Sequence, residues 1–287
     1  MPTPYLPHHD GQHGSKVIGV FDSGVGGLSI LRCLQKTLPH HPLLYVADSA
    51  HAPYGERAEA HVLDRSMRIT RHLVGAGARV IVIACNTATA VAAQHLREAW
   101  PNVPMVGVEP GIKPALAASL LGKIGVMATA TTLSSAKFKR LLAEHRGNKS
   151  WHLQACTGLA SAIESALEDS AELEHLIAQH CKPLRDAGVD TVVLGCTHYP
   201  FAENLIRLAI GPQVKVIDTA EAVAKQVAHV VANHIEATCH EVDPPIVLET
   251  TGDLASLERF AKRWLPFGFQ CRGLSIDGHT DGARDGA

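Results

Sequence analysis

Two cysteines stand at the same kind of junction. VIVIACNTATA carries Cys85 and TVVLGCTHYP carries Cys196, each after a run of β-branched and aliphatic residues and each followed within two positions by a threonine. They lie 111 residues apart. Three readings compete for such a pair. The first makes them small buried hydrophobes, as free cysteines often are. Against it, Asn86, Thr87, Thr197 and His198 are polar where a core would take apolar side chains. The second is a metal site, but Cys196 and His198 supply only two of the four donors that a closed zinc site needs. The third is acid/base chemistry. A thiol titrates near ~8.5, and a helix N-terminus or nearby donors lower that value. A thiolate and a thiol on opposite faces of one tetrahedral carbon can take a proton from one side and return one to the other. That inverts the centre without a redox cofactor. A single Cys–His nucleophile would employ Cys196 and His198 and leave Cys85 idle.

Such thiols need strands to hold them. Short Val/Ile-rich runs recur at 17–21, 43–47, 80–84, 105–108, 123–127, 191–195, 214–217 and 246–249, separated by amphipathic stretches such as ERAEAHVLDRSMRITRHLVGAG. Runs that are apolar throughout, rather than alternating, predict parallel sheets covered by helices on both faces. The pattern repeats. AGARVIVIAC (76–85) aligns without a gap on AGVDTVVLGC (187–196), and IGVFDSGVGGLS (18–29) aligns on IGVMATATTLSS (124–135). Two matches in the same order, at offsets of 111 and 106, predict a duplicated α/β unit. The expected architecture is α/β: two similar three-layer α/β/α units with mostly parallel sheets, related by a pseudo-twofold axis. Residues 17–112 form the first unit, completed by 213–287, and residues 113–212 form the second. Residues 1–16 read as a disordered Pro/His/Gly tail. Ligands of open parallel sheets bind outside the carboxyl ends of the strands. Both cysteines fall there, as do Asp22 and Ser23, so the expected site is the cleft between the units.

Composition narrows the function classes. The chain has 287 residues, 46% hydrophobic and 19% charged, which is enough to bury a good core. Lys plus Arg number 26 against 28 Asp plus Glu, so no basic surface invites nucleic acid or anionic lipid. No apolar run approaches the length of a membrane span, and MPTPYLPHHDGQHGSK does not read as a signal peptide. Seven cysteines, an odd number without any C-x-x-C, fit free thiols in the cytoplasm better than a disulfide framework. A solute-binding protein would also have two α/β lobes, but it normally needs export. The glycines of DSGVGG suit a tight turn close to a ligand, and they lack the G-x-G-x-x-G spacing of a dinucleotide site.

FDSGVGGLS (21–29), APYGE (52–56), ACNTA (84–88), GVEPGIKPA (107–115), LGCTHYP (194–200) and TTGD (250–253), in that order, resemble the glutamate racemases of the aspartate/glutamate racemase family. The resemblance covers nearly the whole chain from Val17. It implies racemisation of L-glutamate to D-glutamate for peptidoglycan, without cofactor or metal. The alternative is a related racemase of the aspartate or hydantoin type. By the same resemblance Cys85 and Cys196 match the catalytic thiols, Asp22 assists one of them and His198 the other. Ser23, Asn86, Thr87, Thr129, Thr132 and Thr197 match substrate contacts. Tyr54 and Gly55 match a loop that closes over the ligand, and Glu164 matches a glutamate near the site. Phe138 replaces the family's usual Tyr, which keeps the ring for packing. The implied partners are the small-molecule substrate, a second copy in a homodimer, and a UDP-muramoyl-alanine precursor as activator. The last rests on the tail before Val17, which resembles the longer N-termini of Gram-negative racemases. Trp151, Trp264 and Cys33 read as packing residues. Cys156, Cys181, Cys239 and Cys271 lack polar motifs, and Asp48 reads as a turn residue first.

Overall fold

A computed structural model describes residues 17–145, 147, 149–165, 170–235 and 245–276. The tail 1–16 and Cys239 lie outside the described residues. Ten strands form two sheets: β1 (Val17–Asp22), β2 (Leu43–Ala47), β3 (Ala78–Ile83), β4 (Met105–Gly107), β5 (Lys123–Ala128), β6 (Ser150–Ala155), β7 (Thr191–Gly195), β8 (Lys215–Ile217), β9 (Ile246–Thr250) and β10 (Gln270–Gly273). The first sheet has the order β10-β9-β2-β1-β3-β4 and the second β6-β5-β7-β8. Every pairing is parallel. Fully apolar strands such as LLYVA and TVVLG are buried at every position, because helices cover both faces of each sheet.

The repeat read from the sequence extends into the register. Ile18 lies opposite Val80 in the first sheet, and Ile124 opposite Thr191 in the second, so the offsets of 106 and 111 are those of paired neighbours. Ile81 opposite Met105 and Val192 opposite Val216 carry the offset of 111 into a fourth strand. The order β2-β1-β3-β4 thus has its counterpart in β6-β5-β7-β8. A boundary at 213 places Lys215–Ile217 with the first unit, but β8 pairs with β7. The chain returns to the first sheet only afterwards, through the helix Ala220–His234, β9 and β10. The apolar run VKVI carried no mark of which sheet it would join. Two strands have no apolar run to announce them. β6 (SWHLQA) and β10 (QCRG) are edge strands with largely exposed or half-buried side chains.

The two sheets are sewn together on one side by aromatic packing. Phe201, three residues beyond His198, lies 5.0 Å from Phe260 in an edge-to-face arrangement and 4.8 Å from Trp264. Phe260 and Trp264 belong to the helix Leu254–Trp264, which packs on the first sheet, while Phe201 touches the cores of both sheets. Cys33 packs against the first core and Trp151 against the second sheet's, as expected of packing residues. Phe138 is buried in the second core. Replacing Phe201 by Ala is expected to cost about 2 kcal/mol, since half-buried ring area and two aromatic contacts go together. Urea unfolding followed by far-ultraviolet circular dichroism measures it.

Candidate active site

The carboxyl ends of the two sheets meet. β1 ends in Asp22 and runs into the loop Ser23–Gly27, and β7 ends at Gly195 and runs into Cys196-Thr197-His198. Thr197 Oγ1 donates to Asp22 Oδ2 at 2.9 Å, and Ser29 Oγ donates to the Thr197 carbonyl at 3.0 Å. The other Asp22 oxygen accepts from the Ser23 amide and, at 3.1 Å, from Ser23 Oγ. These partners are all buried, so the carboxylate has exchanged water for fixed donors. The loop is glycine-rich because the second sheet's side chains press on it. A Cβ at Gly24 would lie 2.5 Å from Glu164 Oε2, and one at Gly26 would run into His198 Nδ1 and come within 2.7 Å of Thr197 Oγ1.

Cys85 is the N-cap of the helix Asn86–Ala99, where its Sγ accepts the Ala88 amide at 3.5 Å. Its thiol lies 3.8 Å from Ser23 Oγ. Burial, with the nearby Asp22 charge behind it, holds the Cys85 thiol well above its ordinary range, against the opposing Ala88 amide. Cys85 and Cys196 are both free thiols. Burial also raises Asp22, with His198, Thr197 and Ser23 pulling the other way.

Cys196 Sγ lies 3.8 Å from His198 Nδ1, and His198 Nε2 lies 2.9 Å from Glu164 Oε2. Burial alone would lower His198, but its hydrogen bonds to Cys196 and Glu164 and their charges prevail and hold it well above the usual imidazole range. Glu164, 26% exposed, is the outermost member of this chain. It belongs to the helix Leu159–Ser165.

The remaining sequence candidates gather around the same cleft. Thr87 Oγ1 lies 3.0 Å from Thr129 Oγ1 and 3.4 Å from Thr132 Oγ1, and Thr129 and Thr132 are 3.0 Å apart. Three hydroxyls from both sheets therefore converge. Asn86 is buried and its Nδ2 has no hydrogen-bond partner, so an amide donor stands unused beside Cys85. The Gly55 carbonyl accepts from Thr131 Oγ1 at 2.8 Å. Tyr54 is fully buried and packs in the same cluster as Cys85, but its hydroxyl turns to Asp48 Oδ2 at 2.6 Å. Among the described residues, no group of three or more His, Cys, Asp or Glu side chains could hold a metal ion, and no helix is long and apolar enough to cross a membrane.

Asp48 proves to be more than a turn residue. It is fully buried and paired with Arg65, whose Nε and Nη2 donate at 3.0 and 2.9 Å, and it also accepts Thr251 Oγ1 at 2.8 Å. Sequence reasoning passed over Arg65, Ser29 and Thr131. A signal existed for Arg65. The buried positions of the helix Glu59–Gly75 are 62, 65, 66, 69, 70 and 73, and Arg65 is the one charge on that face. Nothing comparable marked Ser29 or Thr131.

The fold is that of the Asp/Glu/hydantoin racemases, and the chain belongs to that family, whose model matches residues 28–227. Among its relatives, it is 44% identical over 260 residues to the glutamate racemase of Cupriavidus pinatubonensis, covering 91% of this chain and 95% of that one. It is 46% identical over 218 residues to that of Pseudomonas aeruginosa, covering 76% and 82%. The structure resembles a Bacillus anthracis glutamate racemase isoform with a TM-score of 0.82 at 33% identity, over 92% of this chain and 98% of that one. It resembles the Escherichia coli glutamate racemase, solved with L-glutamate and the activator UDP-MurNAc-Ala, with a TM-score of 0.78 at 27% identity, over 91% and 98%.

Gly26→Ala is expected to displace Thr197 and His198, at a cost of about 1–3 kcal/mol from overpacking. Thermal unfolding measures the loss, and the Gly26→Ser variant should fall at least as far.

Proposed function

We propose that this chain racemises L-glutamate to D-glutamate by paired proton transfer between Cys85 and Cys196, supplying D-glutamate for peptidoglycan in the cytoplasm. One observation carries the reading: two free thiols stand at equivalent strand ends of a repeated unit, in one cleft with converging hydroxyl donors. The relatives' activity agrees with it.

By the resemblance to the family, Cys196, next to His198, is the base toward L-glutamate, and Cys85, whose thiol burial pushes up, is the acid. The Cα–H bond breaks as a bond to Cys196 sulfur forms. Charge then develops at Cα and the carboxylate, and the Cys85 proton is delivered to the opposite face. Thr87, Thr129, Thr132 and the free Asn86 amide are the donors for the substrate carboxylates, where stabilisation of developing charge counts most. Ser23, Tyr54, Gly55, Thr197 and Glu164 complete the enclosure. In reverse, Asp22 supports Cys85 through Ser23 when it takes the α-proton of D-glutamate.

Circular dichroism of purified protein with each enantiomer of glutamate and aspartate, without pyridoxal phosphate, tests the substrate. Racemisation of aspartate alone would favour the aspartate-type alternative. UDP-MurNAc-Ala added to the same assay tests activation, and gel filtration tests a homodimer. In deuterated water the product enantiomer should carry deuterium at Cα in both directions. Ser at either Cys85 or Cys196 should nearly abolish racemisation with the fold intact, and near-normal turnover in either variant defeats the two-thiol scheme. The faces are tested separately. Elimination of HCl from threo-3-chloroglutamate should survive in Cys85→Ser for the L-configured enantiomer and in Cys196→Ser for the D-configured one.

A further inference from the structure

The amino ends of the second sheet lie one strand length from the cleft, about 20 Å for the six residues of β5. There the chain displays something that its own packing does not call for. Leu120 is 84% and Leu121 71% exposed, two consecutive large apolar side chains standing in water. The loop that carries them is firmly built. Ser119 ends the helix Ile112–Ala118, and its Oγ donates to Asp190 Oδ1 at 2.6 Å. The Leu120 and Leu121 amides donate to Asp190 Oδ2 at 2.7 and 2.6 Å. The Gly122 amide donates to Ser119 Oγ at 2.9 Å, and the φ of +70° at Gly122, which favours glycine, closes the turn. Asp190 is fixed in turn, since its amide donates to the Lys123 carbonyl and its carbonyl accepts the Lys215 amide, both at 2.9 Å. One carboxylate thus holds two leucines out into solvent.

The surroundings of the pair are basic. The strand order β6-β5-β7-β8 sets Lys149, Lys123, Asp190 and Lys215 in a row along this end of the sheet, at strand spacings of about 4.8 Å. The stem of Lys149 reaches the turn, for a Cβ at Gly122 would lie 2.8 Å from its Cδ. Lys215 Nζ donates to the Ala118 carbonyl at 2.6 Å, two residues before Leu120. Among the described residues, no acidic side chain pairs with Lys123, Lys149 or Lys215. Asp190 is taken up by the loop, and Asp186, at the end of the preceding helix, by Lys182. The near balance of 26 basic and 28 acidic residues hides this face, because lysines far apart in the chain meet only at the sheet's end.

Composition decides what the face fits. Protein interfaces are built round aromatic residues and Arg, with Leu scarce among their dominant contacts and Lys depleted. A protruding leucine pair among unpaired lysines suits a lipid surface instead. Its apolar side chains enter the acyl boundary, and the ammonium heads stay among the phosphates. We infer that the loop 119–123 docks this protein on an anionic lipid bilayer, with Leu120 and Leu121 entering the interface and Lys123, Lys149 and Lys215 meeting the headgroups. The docking is peripheral and reversible, and it leaves the cleft, at the other end of the strands, open to solution. It holds whichever amino acid is turned over there.

Cosedimentation of the full-length protein with vesicles reads the partition. Vesicles of phosphatidylcholine and phosphatidylglycerol in equal parts should bind it at low ionic strength, and pure phosphatidylcholine roughly a hundredfold less tightly, as three lysines at about fivefold each require. Binding should vanish in about 1 M salt, where the screening length falls to about 3 Å. Lys123→Gln and Lys215→Gln should each weaken binding about fivefold. Leu120→Ser with Leu121→Ser should weaken it about tenfold and leave thermal unfolding unchanged, since both side chains are exposed. Leu153→Ser, at a 44% exposed leucine on β6, is the control and should bind as the wild type does. Failure to bind the mixed vesicles, equal partition onto both kinds, wild-type binding by the double-serine variant, or an equal loss in Leu153→Ser each overturns the inference. So does gel filtration without lipid in which the double-serine variant alone falls from dimer to monomer, which seats a second copy on the loop.

Discussion

The interaction on which this structure turns is the burial of the Asp22 carboxylate against the Thr197 hydroxyl. A carboxylate deprived of water needs fixed donors, and one of those it uses comes from the other sheet. That bond places the Cys196-Thr197-His198 turn directly on the glycine loop that follows β1. Once it is there, Ser29 has the Thr197 carbonyl to donate to, and Phe201, three residues on, meets Phe260 and Trp264. Glycine at 26 is then a steric requirement imposed by Thr197 and His198, side chains of the opposite unit.

The two thiols share a design and differ in environment. Each follows a central strand of its sheet, flanked by the strand that opens the unit. Cys85 sits at a helix N-terminus, yet burial and the Asp22 charge outweigh the amide's help and keep it a thiol. Cys196 has instead a histidine held in its charged form, backed by Glu164. A duplicated scaffold thus sets one thiol beside a carboxylic side chain and the other beside an imidazole.

A buried seam of aromatic and carboxylate contacts joins the two sheets on one side of the cleft. Asp48 and Arg65 belong to neither sheet's apolar core. They form an ion pair inside the first layer, and bidentate geometry with two further hydroxyl donors offsets the desolvation that such a pair suffers.

Much of this was legible without coordinates, for local reasons. Fully apolar runs marked eight of the ten strands, because a central parallel strand buries both faces. The aligned runs marked the repeat, because paired strands of both sheets keep the same register. Strand-end polar residues marked Asp22, Ser23, Cys85, Asn86, Thr87, Cys196, Thr197 and His198, because carboxyl ends are where a parallel sheet exposes side chains to a ligand. The edge strands β6 and β10 escaped, since half-exposed strands need no apolar run, and β8 was placed with the wrong sheet because its run carries no address. The partners of Asp48, the turn of Tyr54 toward it, the contact of Glu164 with His198 and the hydrogen bond from Thr131 to Gly55 could be decided only in three dimensions. Each joins residues far apart in the chain, and their pairing depends on how the two sheets dock. Sequence by itself determined which residues would stand at the strand ends; only the tertiary structure determined which of them meet, because burial in a shared cleft is a property of the docked pair and of neither unit alone.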